Sequence, residues 1–221
     1  MENISLKLPG ANDYFTQEAY KVLRTNIQFC GADIKVIAIT SCNENEGKTT
    51  VALHLAKSFA ELGKKVLLID ADLRRPTVHK KLKIENSEGL SGVLAGFSSA
   101  ERAVISINPN FSVLPSGTTP PNPSELLASR EFEELLSKLK DEYDYIIVDT
   151  PPVGIVSDAL TIGRISDGIL LVIKEKATTY KDFERVVDSL KLAEITLLGV
   201  VLNGSVSREY YPNYRTYRSV H

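Results

Sequence analysis

The residues from Ser41 to Thr50 read Ser41-Cys42-Asn43-Glu44-Asn45-Glu46-Gly47-Lys48-Thr49-Thr50. Their types suit a bound triphosphate, which needs inward-facing backbone N–H groups, a cation and a helix N-terminus. Gly47 permits close backbone approach, Lys48 supplies charge, and the Thr49 hydroxyl reaches a Mg²⁺ ion. The candidate nucleotide-binding residues are therefore Cys42, Asn43, Glu44, Asn45, Glu46, Gly47, Lys48, Thr49 and Thr50. The usual string G-x-x-x-x-G-K-[ST] opens on glycine, and here that position is Cys42, so the motif alone is imperfect.

Three aspartates complete the pattern. Asp70 and Asp72 lie in Leu68-Ile69-Asp70-Ala71-Asp72-Leu73-Arg74-Arg75-Pro76, and Asp149 lies in Ile147-Val148-Asp149-Thr150-Pro151-Pro152. One strand-end aspartate is ordinarily a solvent-edge cap. Acids converging on a phosphate loop make sense chiefly if a divalent cation lies between them and the phosphates, since anions otherwise repel.

These groups need a frame that brings strand ends together. Lys35–Thr40 is a short apolar strand, and Lys48–Leu62 follows as a helix that Gly63 stops. Further strands are expected at Lys65–Asp70, Phe111–Leu114, Tyr145–Asp149, Ile169–Lys174 and Leu197–Asn203. Helices are expected at Ser124–Tyr143 and Thr179–Leu192. The strands are continuously apolar, which implies burial on both faces of a parallel sheet. The expected class is α/β: a doubly wound, mostly parallel sheet with helices on both faces, and ligands beyond the carboxyl ends of the strands.

Length and composition agree with one such domain. The chain has 221 residues, 43% hydrophobic and 24% charged, with a formal net charge of −2. A pI near 6.0 lacks the positive field of a general nucleic-acid binder. Two cysteines, Cys30 and Cys42, supply neither a disulfide framework nor a four-ligand zinc site. The N-terminal segment does not read as a signal peptide, and no apolar run approaches the roughly 20 residues of a membrane span. A soluble, cytoplasmic protein is expected.

Gly47-Lys48-Thr49, the D-x-D-L-R-x-P string at Asp70–Pro76 and the D-x-P-P string at Asp149–Pro152 resemble the Walker A, A′ and B motifs of bacterial tyrosine kinases (BY-kinases). The loop from Leu114 to Gly117 and from Pro120 to Leu127, and a C-terminal tyrosine cluster, are similar to that family as well. The resemblance runs from about Glu18 to Tyr217. It implies a P-loop NTPase fold, with a kinase domain over residues 1–203, an oligomerisation helix at about 16–30, and a flexible tail at 204–221. It departs from the family at Glu44-Asn45, where Pro-Gly is usual. Asn45 can adopt left-handed backbone in place of glycine, whereas Glu44 adds negative charge near the triphosphate unless its side chain turns outward. In the family's E-x-x-R-x-x-R-x-N motif, Lys21 replaces an arginine between Glu18 and Arg24. The resemblance places those three residues at a subunit interface in a homo-oligomeric ring, whereas on their own they read equally well as a solvated helix face.

Four of the nine tyrosines, Tyr210, Tyr211, Tyr214 and Tyr217, fall in the last twelve residues. They are the candidate phosphoacceptors. A phenol of pKa about 10 needs a base at neutral pH. Asp70 is the candidate base, and Asp72 joins it and Lys48 in the catalytic set. Thr49, Asp72 and Asp149 are the candidate Mg²⁺ site, Thr49 directly and the acids through water, with Mn²⁺ as a substitute ion. Asn203, at the end of the last strand, is the candidate base contact; with no Asn-Lys-x-Asp string present, ATP is favoured over GTP.

The resemblance further implies autophosphorylation of the tail in trans by a ring neighbour, and regulation of capsular or exopolysaccharide synthesis. Its implied partners are a transmembrane adaptor that activates the kinase through a cytoplasmic tail and recruits it to the inner face of the membrane, a cognate tyrosine phosphatase, and polysaccharide-synthesis enzymes as substrates. The competing reading is a switch ATPase of the MinD/ParA type, without protein kinase activity. Most such proteins carry a second lysine early in the phosphate loop, and Ser41–Asn45 has none. A third reading, a regulator that binds nucleotide weakly, rests on Cys42 and Glu44.

Overall fold

The structure, a computed structural model, describes residues 13–205. Tyr210, Tyr211, Tyr214 and Tyr217 lie outside the described residues. The chain begins with α1 (Tyr14–Cys30), β1 (Val36–Ser41), α2 (Lys48–Glu61), β2 (Val66–Asp70), α3 (Val78–Leu82), α4 (Leu90–Leu94) and α5 (Ala100–Ala103). It continues through β3 (Ile105–Asn108), β4 (Phe111–Leu114), α6 (Pro123–Leu127), α7 (Arg130–Glu142), β5 (Tyr145–Asp149), α8 (Asp158–Arg164), β6 (Gly168–Lys174), α9 (Tyr180–Leu192) and β7 (Leu197–Asn203).

The strands form a seven-stranded sheet in the order β3-β4-β2-β5-β1-β6-β7. Every pairing is parallel except β3 with β4. All residues of β1 and β2 are buried, as unbroken apolar strands require. Alternate residues feed two cores. Ile37, Ile39 and Leu68 pack with α2, Ile27 of α1 and Val78 of α3. Val36, Ala38, Leu67 and Ile69 pack on the opposite face with Phe132 and Leu136 of α7, Ile162 of α8 and Val186 of α9. Successive strands leave β1 in opposite directions, to β2 on one side and later to β6 on the other, and the crevice this opens lies at the phosphate loop.

Three features differ from the sequence expectation. The helix anticipated over Ser124–Tyr143 is two helices. Ser129 takes an extended backbone (φ −75°, ψ 155°) as the N-cap of α7, a role serine favours, and Pro123 opens α6 at a first-turn position. The antiparallel β3 was not anticipated. It is four residues long, with only Ile107 deeply buried and an irregular register near Asn108, so it carries little apolar pattern. Finally, β7 is apolar along its length, yet Val200 and Leu202 are exposed, because it is an edge strand.

Candidate functional site

The loop between β1 and α2 is shaped by two left-handed residues, Asn45 (φ 61°) and Gly47 (φ 96°). Asn45 thus occupies the backbone region glycine would otherwise supply. Gly47 is required twice over, since a Cβ there would lie 2.0 Å from Nδ2 of Asn203. Glu46 turns into the protein, only 2% exposed. Its carboxylate accepts from the Asn43 backbone N–H at 2.9 Å and from the Thr178 hydroxyl. The Asn203 amide donates to the Glu46 carbonyl at 2.9 Å, and Lys174 Nζ to the Asn45 carbonyl at 3.4 Å. The loop is therefore clamped from the ends of β6 and β7. Cys42 is fully buried in the core, where burial pushes its thiol up to about 12, so it serves as packing rather than as a nucleophile. Glu44 pairs with the Arg75 guanidinium.

The acids converge as the spacing predicted. Asp70 and Asp149 are register partners at the ends of adjacent strands, and Ile39 of β1 is paired with Asp149 on the other side. Lys48 Nζ lies 2.8 Å from Asp72 Oδ2 and 3.8 Å from Asp149 Oδ1. Asp72 also accepts from the Arg75 N–H at 3.0 Å. Asp70 accepts from the N–H groups of Asp72 (3.3 Å) and Val78 (3.2 Å). Three buried carboxylates thus gather around one ammonium, two of them paired with it. Burial, aided by repulsion from Asp149, pushes Asp70 up to about 8. Burial likewise raises Asp149, against the pull of Lys48. Burial alone would discharge Lys48, but Asp149 and Asp72 outweigh it and keep the ammonium protonated.

Asp149 is the informative member. It is wholly buried, and neither of its carboxylate oxygens has a hydrogen-bond partner. Lys48, 3.8 Å away, is shared with Asp72, so the cluster holds more carboxylate than ammonium and marks a place where further positive charge is expected. The Thr49 side chain lies beside this cluster and accepts from the Thr77 hydroxyl at 3.0 Å. Among the described residues no three His, Cys, Asp or Glu side chains form a metal cage. That donor set suits Mg²⁺, which binds through one or two protein oxygens and completes its shell with phosphate and water.

Several residues here were not singled out from sequence. Arg75, Thr77, Thr178 and Lys174 each touch a member of the loop or its helix start. The last two follow from the rule that ligands gather beyond strand C-termini, applied to β6. Asp158, 2% exposed, accepts from Arg74 Nε at 2.8 Å and from the Ser124 hydroxyl at 2.7 Å, which pins the segment after Asp72. Glu18 and Lys21 pair with each other at 2.7 Å on the outer face of α1. Arg24 turns inward, its guanidinium donating to the Ser58 carbonyl and hydroxyl of α2.

Residues 34–198 match the family described as AAA domain. The tyrosine-protein kinase YwqD of Bacillus subtilis (strain 168) is 45% identical over 190 residues, 85% of this chain and 80% of that protein. The kinase domain of Escherichia coli tyrosine kinase ETK superposes with a TM-score of 0.86 at 36% identity, covering 92% of this chain and 83% of that one. The septum site-determining protein MinD from Pyrococcus horikoshii OT3, complexed with Mg-ADP, gives a TM-score of 0.65 at 29% identity, covering 76% of this chain and 70% of that one.

Proposed function

The chain belongs to the bacterial tyrosine-protein kinase family, and on that premise we propose that it transfers the γ-phosphoryl group of ATP to the hydroxyls of Tyr210, Tyr211, Tyr214 and Tyr217. The orphaned, buried Asp149 carboxylate beside Lys48, in register with Asp70, is the observation that carries this reading. A switch ATPase gives way to the kinase, because the kinase domain fits the fold more closely than MinD does, at TM-scores of 0.86 and 0.65.

In the proposed mechanism the loop amides and Lys48 hold the triphosphate, with Lys48 leaving Asp72 for the β- and γ-phosphates. Thr49 directly, and Asp72 and Asp149 through water, would hold Mg²⁺, which would supply positive charge against the phosphates and lessen the repulsion from Asp149 that adds to burial in raising Asp70. The tyrosine oxygen forms a bond to the γ-phosphorus, and the bond to the β–γ bridging oxygen breaks as ADP departs. Asp70, at the end of β2, takes the phenolic proton. Little covalent work falls on the protein beyond alignment and charge. Asn203 is held by the loop, where it can meet the adenine only at the loop's edge, and its base contact is part of this proposal.

The assembly follows from the same family. Glu18 and Lys21, on the outer face of α1, contribute to an interface in a ring, and Arg24, turned inward onto Ser58, holds α1 in place for it, so each tail is modified by a neighbour. Each phosphotyrosine adds about −1.5 to −2 charges, and mutual repulsion of modified tails loosens the ring. No helix among the described residues is long and apolar enough to cross a membrane. Recruitment to the inner face of the membrane by a transmembrane adaptor, reversal by a tyrosine phosphatase, and control of capsular or exopolysaccharide synthesis through the synthetic enzymes complete the proposal. Mn²⁺ is a substitute ion.

The test is intact mass and peptide mapping after incubation with Mg²⁺ and ATP, with the adaptor's cytoplasmic segment supplied, beside Lys48→Met. Added phosphates on the four tail tyrosines, absent in the variant, are expected. ATP hydrolysis with no phosphate on protein would return the chain to the switch-ATPase class.

A further inference from the structure

A cleft of about 730 Å³ opens beside the catalytic carboxylates, within the size range of sites that bind small molecules. Arg74, Arg75, His79 and Lys80 line it, with Thr118 and Thr119 on the opposite wall and no acidic side chain among its lining residues. Arg74 and Arg75 are anchored by Asp158 and Glu44, which lie outside the lining. Lys80 has no ion pair among the described residues, and His79 Nδ1 is buried without a hydrogen-bond partner. The cleft and the site share α3, whose His79 and Lys80 line the one and whose Val78 contacts the other. Thr77 and His79 flank Val78, whose N–H donates to Asp70 at 3.2 Å.

The mechanism above does not use these cations, and the unmodified tail does not match them. Arg208, Arg215 and Arg218 outnumber the single tail acid Glu209, so the tail arrives with net positive charge. A phosphate on tyrosine reverses that sign locally. Tyr211, Tyr214 and Tyr217 are spaced three residues apart. Three extended residues span about 10 Å, and the cleft is lined by Thr77 and His79, the chain neighbours of the Val78 that contacts Asp70.

We propose that this cleft is a docking site for a phosphotyrosine already made on the tail, holding the chain so that the tyrosine three residues away meets Asp70. The first modification then primes the next. Arg74, held by the buried Asp158, presents its guanidinium in a set direction, and guanidinium groups suit phosphate because they can pair with it bidentately. This inference rests on the tail being the substrate.

The test separates docking from catalysis. Full-length Lys48→Met protein, which cannot modify itself, is titrated with fluorescent peptides of residues 206–221, unmodified or phosphorylated at Tyr217. The phosphopeptide is expected to bind at least tenfold tighter, to be displaced by phenyl phosphate, and to lose that advantage in Lys48→Met/Lys80→Glu. Equal binding of the two peptides overturns the proposal, as does equally effective displacement by a single-stranded oligonucleotide, which would make the cleft a general polyanion patch. In the active protein, Lys80→Glu should leave the first phosphate unchanged in rate and slow the second severalfold. Equal slowing of both refutes priming. If no phosphate is transferred at all, the kinase reading fails, while the binding arm still decides whether the cleft takes phosphotyrosine.

Discussion

Asp70→Asn should make the nucleotide-free protein lose less stability than the parent as pH rises into the alkaline range, while abolishing phosphoryl transfer. The Asp70 carboxyl has an ordinary value of 3.8 and is pushed up to about 8 by burial and by Asp149. Below pH 3.8 both folded and unfolded chains hold its proton, and no penalty exists. Between there and pH 8 the unfolded chain has released the proton and the folded one retains it, so stability falls as pH rises, by at most about 1.4 kcal/mol per unit. Above pH 8 the penalty is complete. From pH 5 to pH 9 one isolated group would lose ~4 kcal/mol. Asp149 and Lys48 titrate in concert with it, so a single substitution should recover roughly half, ~2 kcal/mol. Asparagine still accepts from one of the two N–H groups of Asp72 and Val78 and turns an amide toward the other, which costs ~1–3 kcal/mol at either pH. Urea unfolding of variant and parent at pH 5 and pH 9 therefore gives the variant-minus-parent difference, which should move in the variant's favour by ~2 kcal/mol. A difference that stays the same at both values would refute the claim that Asp70 is held protonated by its surroundings.

Glu46→Ala leaves the Asn43 N–H and the Thr178 hydroxyl without their shared acceptor. It should cost ~2–4 kcal/mol in urea unfolding and raise the KM for ATP, with Glu46→Gln intermediate. Gly47→Ala combines a φ of 96° with a Cβ 2.0 Å from Asn203. It should lose ATP binding by calorimetry, and adding Asn203→Gly should restore part of the stability but not all, because the backbone strain remains. Asp158→Ala removes the anchor of Arg74 and the acceptor of Ser124. Arg74 is 40% exposed on its side chain, so the loss in thermal unfolding should be only about 1–2 kcal/mol, with peptide KM rising more than ATP KM.

The parts of the fold that the sequence revealed are those where local pattern and tertiary role agree. β4, β5 and β7 occupy the expected residues, β2 and β6 differ by one residue at one end and β1 by one residue at both, because unbroken apolar runs ending in Asp70, Asp149 or Asn203 leave little choice of register. The break between α6 and α7 was hidden, since Leu127, Leu135, Leu136 and Leu139 continue one apolar face across it. Only the Ser129 cap betrays the break, and serine is common within helices too. The short α3, α4, α5 and α8 carry four to seven residues each, too few for a helical period to show.

The same contrast governs the site. Residue type and strand position were enough to gather Lys48, Asp70, Asp72 and Asp149, because a parallel sheet delivers strand ends to one edge whatever the details. The direction of Glu44 was not decidable in this way, since its partner Arg75 stands 31 residues along the chain and the choice depends on which loop faces which. With side chains 42% and 72% exposed, that pair contributes ~0–1 kcal/mol, too little to organise the fold. Its consequence is electrostatic. Pairing with Arg75 offsets the negative charge that Glu44 brings to the loop, and Asn45 supplies the left-handed turn that glycine usually gives. The two departures from the family's loop are therefore compensated separately, one by an arginine borrowed from the segment after Asp72 and one by backbone conformation. The chain keeps a phosphate-binding loop with neither Pro nor Gly at those positions.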